Sequence, residues 1–566
     1  MSVLRSDSLK ISSRLLREAT DVVDASGLPD WCAARFTLSL GAYRGGAPTQ
    51  FGWRPLLVGL ALVALSEQPM FIRDVVRTLN ALNPNQKRAI GCPGEVSERM
   101  VSRRWNNLAH LVDASPTSER NRILRQDLTA EQWNDLAAWR EAGLQHLLTV
   151  LLAGSIPAGQ PASGSLAIDA SGVPSWASQR KRHTNADTSS DPDGAWRVHA
   201  STRVPYGNAA NRRRFGAKAW YGYWMHSLVR IPTMTVRKTG EIEFSDTPLF
   251  IEALDVTSAG ADMAVAGAEL LDRHTHRQHQ LAADGHDVPT PGDIVMDRAY
   301  SQGYERFLEP ARAAGYTPHF DLRSDQRGLG GSVAGMVIVD GQPYSPAMPA
   351  ALHDIAPPRI PGATRAEIDA WAQQVAARAP YAIKLRSLGA DGTFHLSCPA
   401  ARDFTAARCV RKPDSVLLPP TLPTFAPSRV AILPKICAQQ KLRVQAEELP
   451  LWQPYAYGSG AWWASMGRRA RVEGAFGNIK DEATQNISRG RIRVMGRAKT
   501  ALMAVFLAAA VNIRLARRLH AVTASPQGAP EQRRPRGPRA RTRRLAAVRE
   551  QRAAHAAEQA ALAGPG

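Results

Sequence analysis

Three carboxylates in this chain stand where a shared metal site would need them. Asp169 follows the apolar run Leu166-Ala167-Ile168, and Asp297 follows Ile294-Val295-Met296. Each run is short, with glycine a few residues on, and reads as a buried strand delivering an acid at its tip. The third acid, Glu473, lies in GRRARVEGAFGNIKDEATQNISRGRIRVMG, with Arg469 four residues before it and Lys480 seven after. Those offsets return to one face of a helix. Two cations beside one carboxylate keep it ionised. A solvated, salt-bridged helix face carries the same charges. The two upstream acids argue for more. Two strand-end carboxylates and one helix carboxylate can hold a pair of Mg²⁺ ions about 4 Å apart, as in-line phosphoryl transfer requires.

The intervening sequence supplies elements to position these acids. After Asp169 comes a polar, basic loop, then Arg212 to Arg214 before alternating aromatic and small residues, a strand beside a phosphate-contacting loop. Leu249 to Val256 reads as a third strand and Asp262 to His279 as a helix. The Asp297 strand follows, then a helix over Tyr304 to Ala314 and a strand over Tyr316 to Leu322. His274, His276 and His279 read as solvated helix polarity, because no spaced carboxylate or cysteine accompanies them. From Asp325 the chain turns rich in Gly and Pro, with strand-like pieces at Gly335 to Val339 and Tyr381 to Leu385. Residues 325–455 therefore read as a strand-rich insertion. Within it, Cys398, Cys409, Cys437 and His395 could hold zinc, but no pair has C-x2-C spacing, and buried free thiols are the better reading. Trp452, Trp462 and Trp463 precede the Glu473 segment and could stack on a base or pack a core.

Residues 1–160 read as a helical region. Pro55 to Leu65 is apolar, Met70 to Leu82 amphipathic, and Ser97 is a fitting N-cap for a helix reaching Val112. That helix turns Met100, Val101, Leu108 and Leu111 inward and leaves Arg99, Arg103, Arg104, Asn106 and Asn107 outside. Arg and Asn suit guanine and adenine edges, so a helix-turn-helix is one reading and a plain bundle with a basic face the other. A further helix, Thr129 to Leu152, leads to the Pro- and Gly-rich link SIPAGQPASG.

These motifs together resemble the DDE transposases of bacterial insertion sequences, whose signature around the last acid is Y-x2-R-x3-E-x6-K. Arg469, Glu473 and Lys480 match R, E and K, while Met466 stands at the Tyr position. DRAY, Asp297 to Tyr300, is similar to the second-acid motif, and Arg491 to Gly496 to the closing RRVRG-like stretch. The resemblance covers roughly Leu166 to Leu519. It implies an α/β multidomain chain: a helical DNA-binding region (1–160), a ribonuclease H-like mixed-sheet core in two parts (161–324 and 456–520), the insertion (325–455) and a basic tail (521–566). It further implies that Asp169, Asp297 and Glu473 bind two Mg²⁺, for which Mn²⁺ can substitute. Arg298, Arg469 and Lys480 would hold phosphates, and Arg103, Arg104 and Asn107 would contact DNA. The partners it implies are terminal inverted repeats and target DNA, bound by a homodimer. A repurposed DNA-binding protein without activity, or a nuclease that cuts without joining, carries the same motifs.

Composition fits a polyanion partner. The 566 residues carry a formal charge of +21, which favours nucleic acid. The hydrophobic share of 44% is ordinary, and five cysteines in so long a chain do not form a disulfide framework. The start has no signal-peptide core and no uncharged apolar run is long enough to span a bilayer, so a cytoplasmic, nucleoid-associated protein is expected. The closing run ALMAVFLAAAVNIRLARRL is apolar nearly all round and should be buried. Beyond His520, Pro and Arg without large apolar residues read as a disordered tail that neutralises phosphate.

Overall fold

The computed structural model of the chain describes residues 10–40, 51–177, 189–199, 218–237, 239–358, 362–389, 392–401, 406–425, 433–470 and 490–524, with 472, 474, 479 and 487 singly. The chain divides into two compact units, Met1–Ala516 and Arg517–Gly566. The first is mixed α/β.

It opens with helices α1 (Ser13–Ala25), α2 (Leu28–Leu40), α3 (Trp53–Leu65), α4 (Ile72–Asn80), α5 (Pro84–Ala89), α6 (Glu98–Val112), α7 (Glu119–Leu124) and α8 (Ala130–Gly154). α3 has no charged residue after Arg54, and every other position in it is buried. Ser97 caps α6 as its hydroxyl accepts from Met100 N at 3.3 Å. Thr129 and Gln132 form a reciprocal capping box at the start of α8.

The main sheet uses β1 (Leu166–Pro174), β2 (Ala195–His199), β3 (Lys218–Arg230), β6 (Ile251–Ser258), β7 (Asp293–Met296) and β8 (Thr317–Phe320). A small hairpin, β4 (Met234–Val236) with β5 (Ile242–Phe244), stands apart from it. The order is β2-β3-β1-β7-β8, with β6 also paired to β3. β3 runs antiparallel to both β1 and β6. β1, β7 and β8 are mutually parallel neighbours. Helix α9 (Met263–Ala283), capped by Asp262, connects β6 to β7. Alternation along β1 divides two cores: Ala167 and Val173 join the helical region, Leu166 and Ile168 the layer with α9.

The closing helix Arg497–Ala524 is buried through most of its length, as its sequence predicts. It contains a window apolar enough to cross a bilayer, and 83% of that window is packed inside the protein, the pattern of a core helix. Its one interior amide, Asn512, bonds both the N–H and the C=O of Ile251, at 2.9 and 3.0 Å. That satisfies backbone groups near the start of β6.

The 325–455 stretch holds small sheets and several short helices. β9 (Leu329–Val333), β10 (Met336–Val339) and β11 (Gln342–Tyr344) form one small sheet. A second joins the strands Lys384–Leu388, Phe394–Ser397 and Leu442–Val444. The helix Arg365–Ala376, also in this stretch, was not expected. Its amphipathic pattern is short, with Trp371 and Val375 as its only buried positions.

Candidate active site

The seam between β1 and β7 brings two of the three acids together. Pairing runs Leu166↔Ile294, Ala167↔Val295 and Ile168↔Met296. The next residues on these neighbouring parallel strands are Asp169 and Asp297. The expectation that Asp169 sits at a strand tip is corrected: β1 continues to Pro174 because β3 keeps pairing with it as far as Gly222. What ends beside Asp169 is the shorter β7. Asp169 Oδ1 accepts from Ala170 N at 2.8 Å, and Asp297 Oδ1 from Ala299 N at 2.8 Å. On the face that Asp169 shares with Ser171 and Ser227, both serine hydroxyls are buried without a hydrogen-bond partner among the described residues.

Tyr300, the last residue of DRAY, underpins this turn. Its N–H donates to Asp297 O at 3.2 Å. Its ring fills the space beside Gly267, where a Cβ would approach two ring carbons to 2.7 Å. Its hydroxyl lies 3.0 Å from His226 Nδ1, and His226 Nε2 lies 2.9 Å from Thr257 Oγ1. Burial, then the carboxylates of Asp169 and Asp297, push the Tyr300 phenol well above its ordinary range. Burial also lowers His226 to about 4, so the ring is neutral at pH 7. Sequence reasoning passed over His226, because a single histidine in an aromatic strand carries no spacing signal.

Arg469 reaches Asp169 across 300 positions, its Nη1 3.5 Å from Oδ2. It does so from a turn, which corrects the placement on one continuous helix. The helix Gly460–Gly467 ends with Arg468 as its cap, Arg469 follows in the turn, and Ala470, Val472, Gly474 and Ile479 are helical beyond it. Glu473 and Lys480 lie outside the described residues, as do 178–188, Arg212 to Arg214 and the tail from 525. Arg298 is half exposed and pairs with Asp321 at 3.1 Å. Met466, at the signature's Tyr position, packs partly buried against both apolar cores.

One residue before Arg469, Arg468 does different work. It is 1% exposed, 2.7 Å from Asp293 Oδ2, and donates to Pro232 O at 3.2 Å and Ser465 Oγ at 2.7 Å. Ser465 Oγ lies 2.8 Å from His319 Nδ1, and His319 Nε2 3.0 Å from Asp293 Oδ1. Burial alone would raise Asp293, but His319 and Arg468 hold it below the usual carboxylate range. This network stitches the start of β7 and the middle of β8 to the helix that leads into the Glu473 segment. Asp293, four residues before Asp297, was the available sequence signal.

The helical region corrects one DNA-contact assignment. Arg104 is 5% exposed; its Nε and Nη2 donate to Phe51 O at 2.9 and 2.7 Å, and its guanidinium lies 4.3 Å from the Trp53 ring centre. It packs inward because α6 touches α2, α3, α4 and α8, leaving only a narrow outer stripe. Arg99, Arg103 and Asn106 occupy that stripe, and Asn107 is half-buried at its border. An eight-residue link, 90–97, separates α5 from α6, longer than the turn of about 3–4 residues in a helix-turn-helix.

Cys398, Cys409 and Cys437 are free thiols of one small core, and burial raises Cys398 and Cys437. Among the described residues no three His, Cys, Asp or Glu side chains gather into a metal-holding group. His274 is buried in α9, not solvated, while His276 and His279 face outward. Trp452 and Trp462 pack in cores, with Trp462 Nε1 donating to Phe320 O at 3.2 Å, and Trp463 is 42% exposed. No family model matches the chain, and no curated protein matches it.

Proposed function

We propose that this protein is a transposase of the DDE type, which binds the ends of its insertion element and cuts and joins DNA strands. The observation that carries the reading is the meeting of Asp169, Asp297 and Arg469, drawn from three distant stretches, at one sheet seam. Two antiparallel pairings followed by two parallel ones, with acids at the antiparallel-to-parallel change, support a ribonuclease H-like core. The roles assigned to 1–160, 161–324, 325–455, 456–520 and 521–566 follow from that reading, as does a nucleoid location.

The donor set fits a hard divalent cation, since carboxylate oxygens on adjacent strands and two unsatisfied serine hydroxyls on the same face are oxygen ligands or water partners. Asp169, Asp297 and Glu473 would hold Mg²⁺ or Mn²⁺, whose chemistry is to lower the pKa of an attacking hydroxyl and stabilise the leaving oxygen. Arg469, paired with Asp169, would add positive charge beside the phosphate. The Tyr300–His226–Thr257 chain holds the Asp297 turn rigid with uncharged groups, so it adds no competing charge. Arg298 and Lys480 take phosphates, and the outer stripe of α6 contacts the duplex.

The test combines a thermal shift with a strand-cutting assay. Mg²⁺ at about a hundred times its Kd should stabilise the protein by about 3 kcal/mol. Asp297→Asn should abolish both that shift and cutting while leaving DNA affinity intact. Duplex binding with neither a metal shift nor cutting in the parent protein would overturn the reading in favour of a DNA-binding protein without activity. Met466 in place of the signature Tyr is what keeps that rival in view.

A further inference from the structure

The closing stretch Arg491 to Gly496 is bound into the helical region by its backbone. Met70 N donates to Arg491 O at 3.1 Å, and Met70 and Ile492 form an isolated parallel bridge. Three residues from that bridge on one side is Arg73, and one residue on the other is Arg493. The Arg493 guanidinium lies 4.7 Å from the Phe71 ring centre and 4.8 Å from that of Trp176; Arg73 lies 5.0 Å from the same Phe71 ring. Both arginines are exposed, and Trp176 is 37% exposed. Beside them opens a cavity of about 220 Å³, to which Glu98 contributes the one acid against Arg73 and Arg493.

A guanidinium held by its flat faces keeps its in-plane N–H edges for hydrogen bonding, and its planar fork matches a phosphate. Contact with two rings also restricts the guanidinium, lowering the side-chain entropy it loses on binding. We infer that the Phe71–Arg493–Trp176 stack, with Arg73, is a built clamp for the phosphate backbone of duplex DNA. This rests on the reading of the protein as a DNA-processing enzyme and gives the closing stretch a role that the carboxylate site does not use. Charge complementarity argues for the occupant: two arginines outweigh one glutamate here, in a chain of net charge +21. Trp176 lies seven residues beyond Asp169, so their Cα atoms are at most about 24 Å apart.

The experiment uses the full-length protein and a fluorescent 40-base-pair duplex, with affinity measured over a salt series. Arg493→Ala should reduce the slope of log affinity against log salt by about 0.9, the loss of one phosphate contact. Arg493→Lys should keep the slope and weaken binding several-fold, because charge remains and the fork is lost. Trp176→Ala should likewise weaken binding without changing the slope. Arg365→Ala, on the insertion helix, is the control and should change neither. Thermal melting of each variant reports folding; if Arg493→Ala fails to fold, the Lys and Trp176 variants carry the test. Should Arg493→Ala bind like the control while the parent binds duplex, the clamp is wrong and the functional reading stands. Absence of duplex binding by the parent would overturn both.

Discussion

The two ends of β7 treat charge in opposite ways. At its start, Asp293 is enclosed by Arg468 and His319, and Arg468 itself is 1% exposed. At its far end, Asp169 and Asp297 stand on adjacent strands, and Arg469 approaches Asp169 only to 3.5 Å. Adjacent arginines thus serve different ends: Arg468 closes a buried network, and Arg469 sits at the rim of a carboxylate pair. Matched, desolvated charge holds architecture together. Carboxylates brought side by side work against stability unless something cationic joins them, which is why such pairs mark sites.

Removing the matched charge should have the largest effect. Arg468→Met leaves Asp293 buried beside a neutral histidine and should cost about 3–5 kcal/mol in chemical denaturation. A loss below about 1 kcal/mol would erase the contrast between the two ends.

The next effect is set by pH. His226 has a folded pKa of about 4 against an ordinary 6.5, so its contribution is fully present above pH 6.5 and is lost as pH falls toward 4. The loss amounts to about 3 kcal/mol, at 1.36 kcal/mol per pKa unit. Melting temperature should fall across that window, and His226→Gln should flatten part of the decline. His110, lowered to about 4 chiefly by burial, adds a slope of the same sign. A decline untouched by His226→Gln would assign it to other histidines and weaken the account of the Asp297 turn.

The helical region repeats the comparison on a smaller scale. Arg104→Ala breaks buried charged hydrogen bonds and should cost about 2–3 kcal/mol of stability. Arg103→Ala, one residue away on the outer stripe, should change stability by no more than about 0.5 kcal/mol. It should instead reduce preference for one duplex sequence over another by about 1–3 kcal/mol if it contacts a base edge. Equal weakening on all sequences would make Arg103 a phosphate contact.

Sequence periodicity and capping by themselves determined α3, α4, α6, α8, α9 and the closing helix, because apolar spacing and Ser, Thr or Asp caps act within one or two turns. Short apolar runs located β1, β6, β7 and β8 for the same local reason. The acid-bearing runs were legible too, since residue type and strand context suffice to propose a carboxylate pair; that Arg469 reaches Asp169 was not. What only the tertiary structure decided was which charge is buried. Arg104 and Arg103, or Arg468 and Arg469, are neighbours of identical chemistry in sequence. Their fates differ because Phe51, Trp53, Asp293 and Pro232 arrive from elsewhere in the chain. Likewise, β1 runs past Asp169 because β3 continues alongside it after β7 has ended. Strand ends and arginine burial are set by long-range partners, and local pattern carries no record of those.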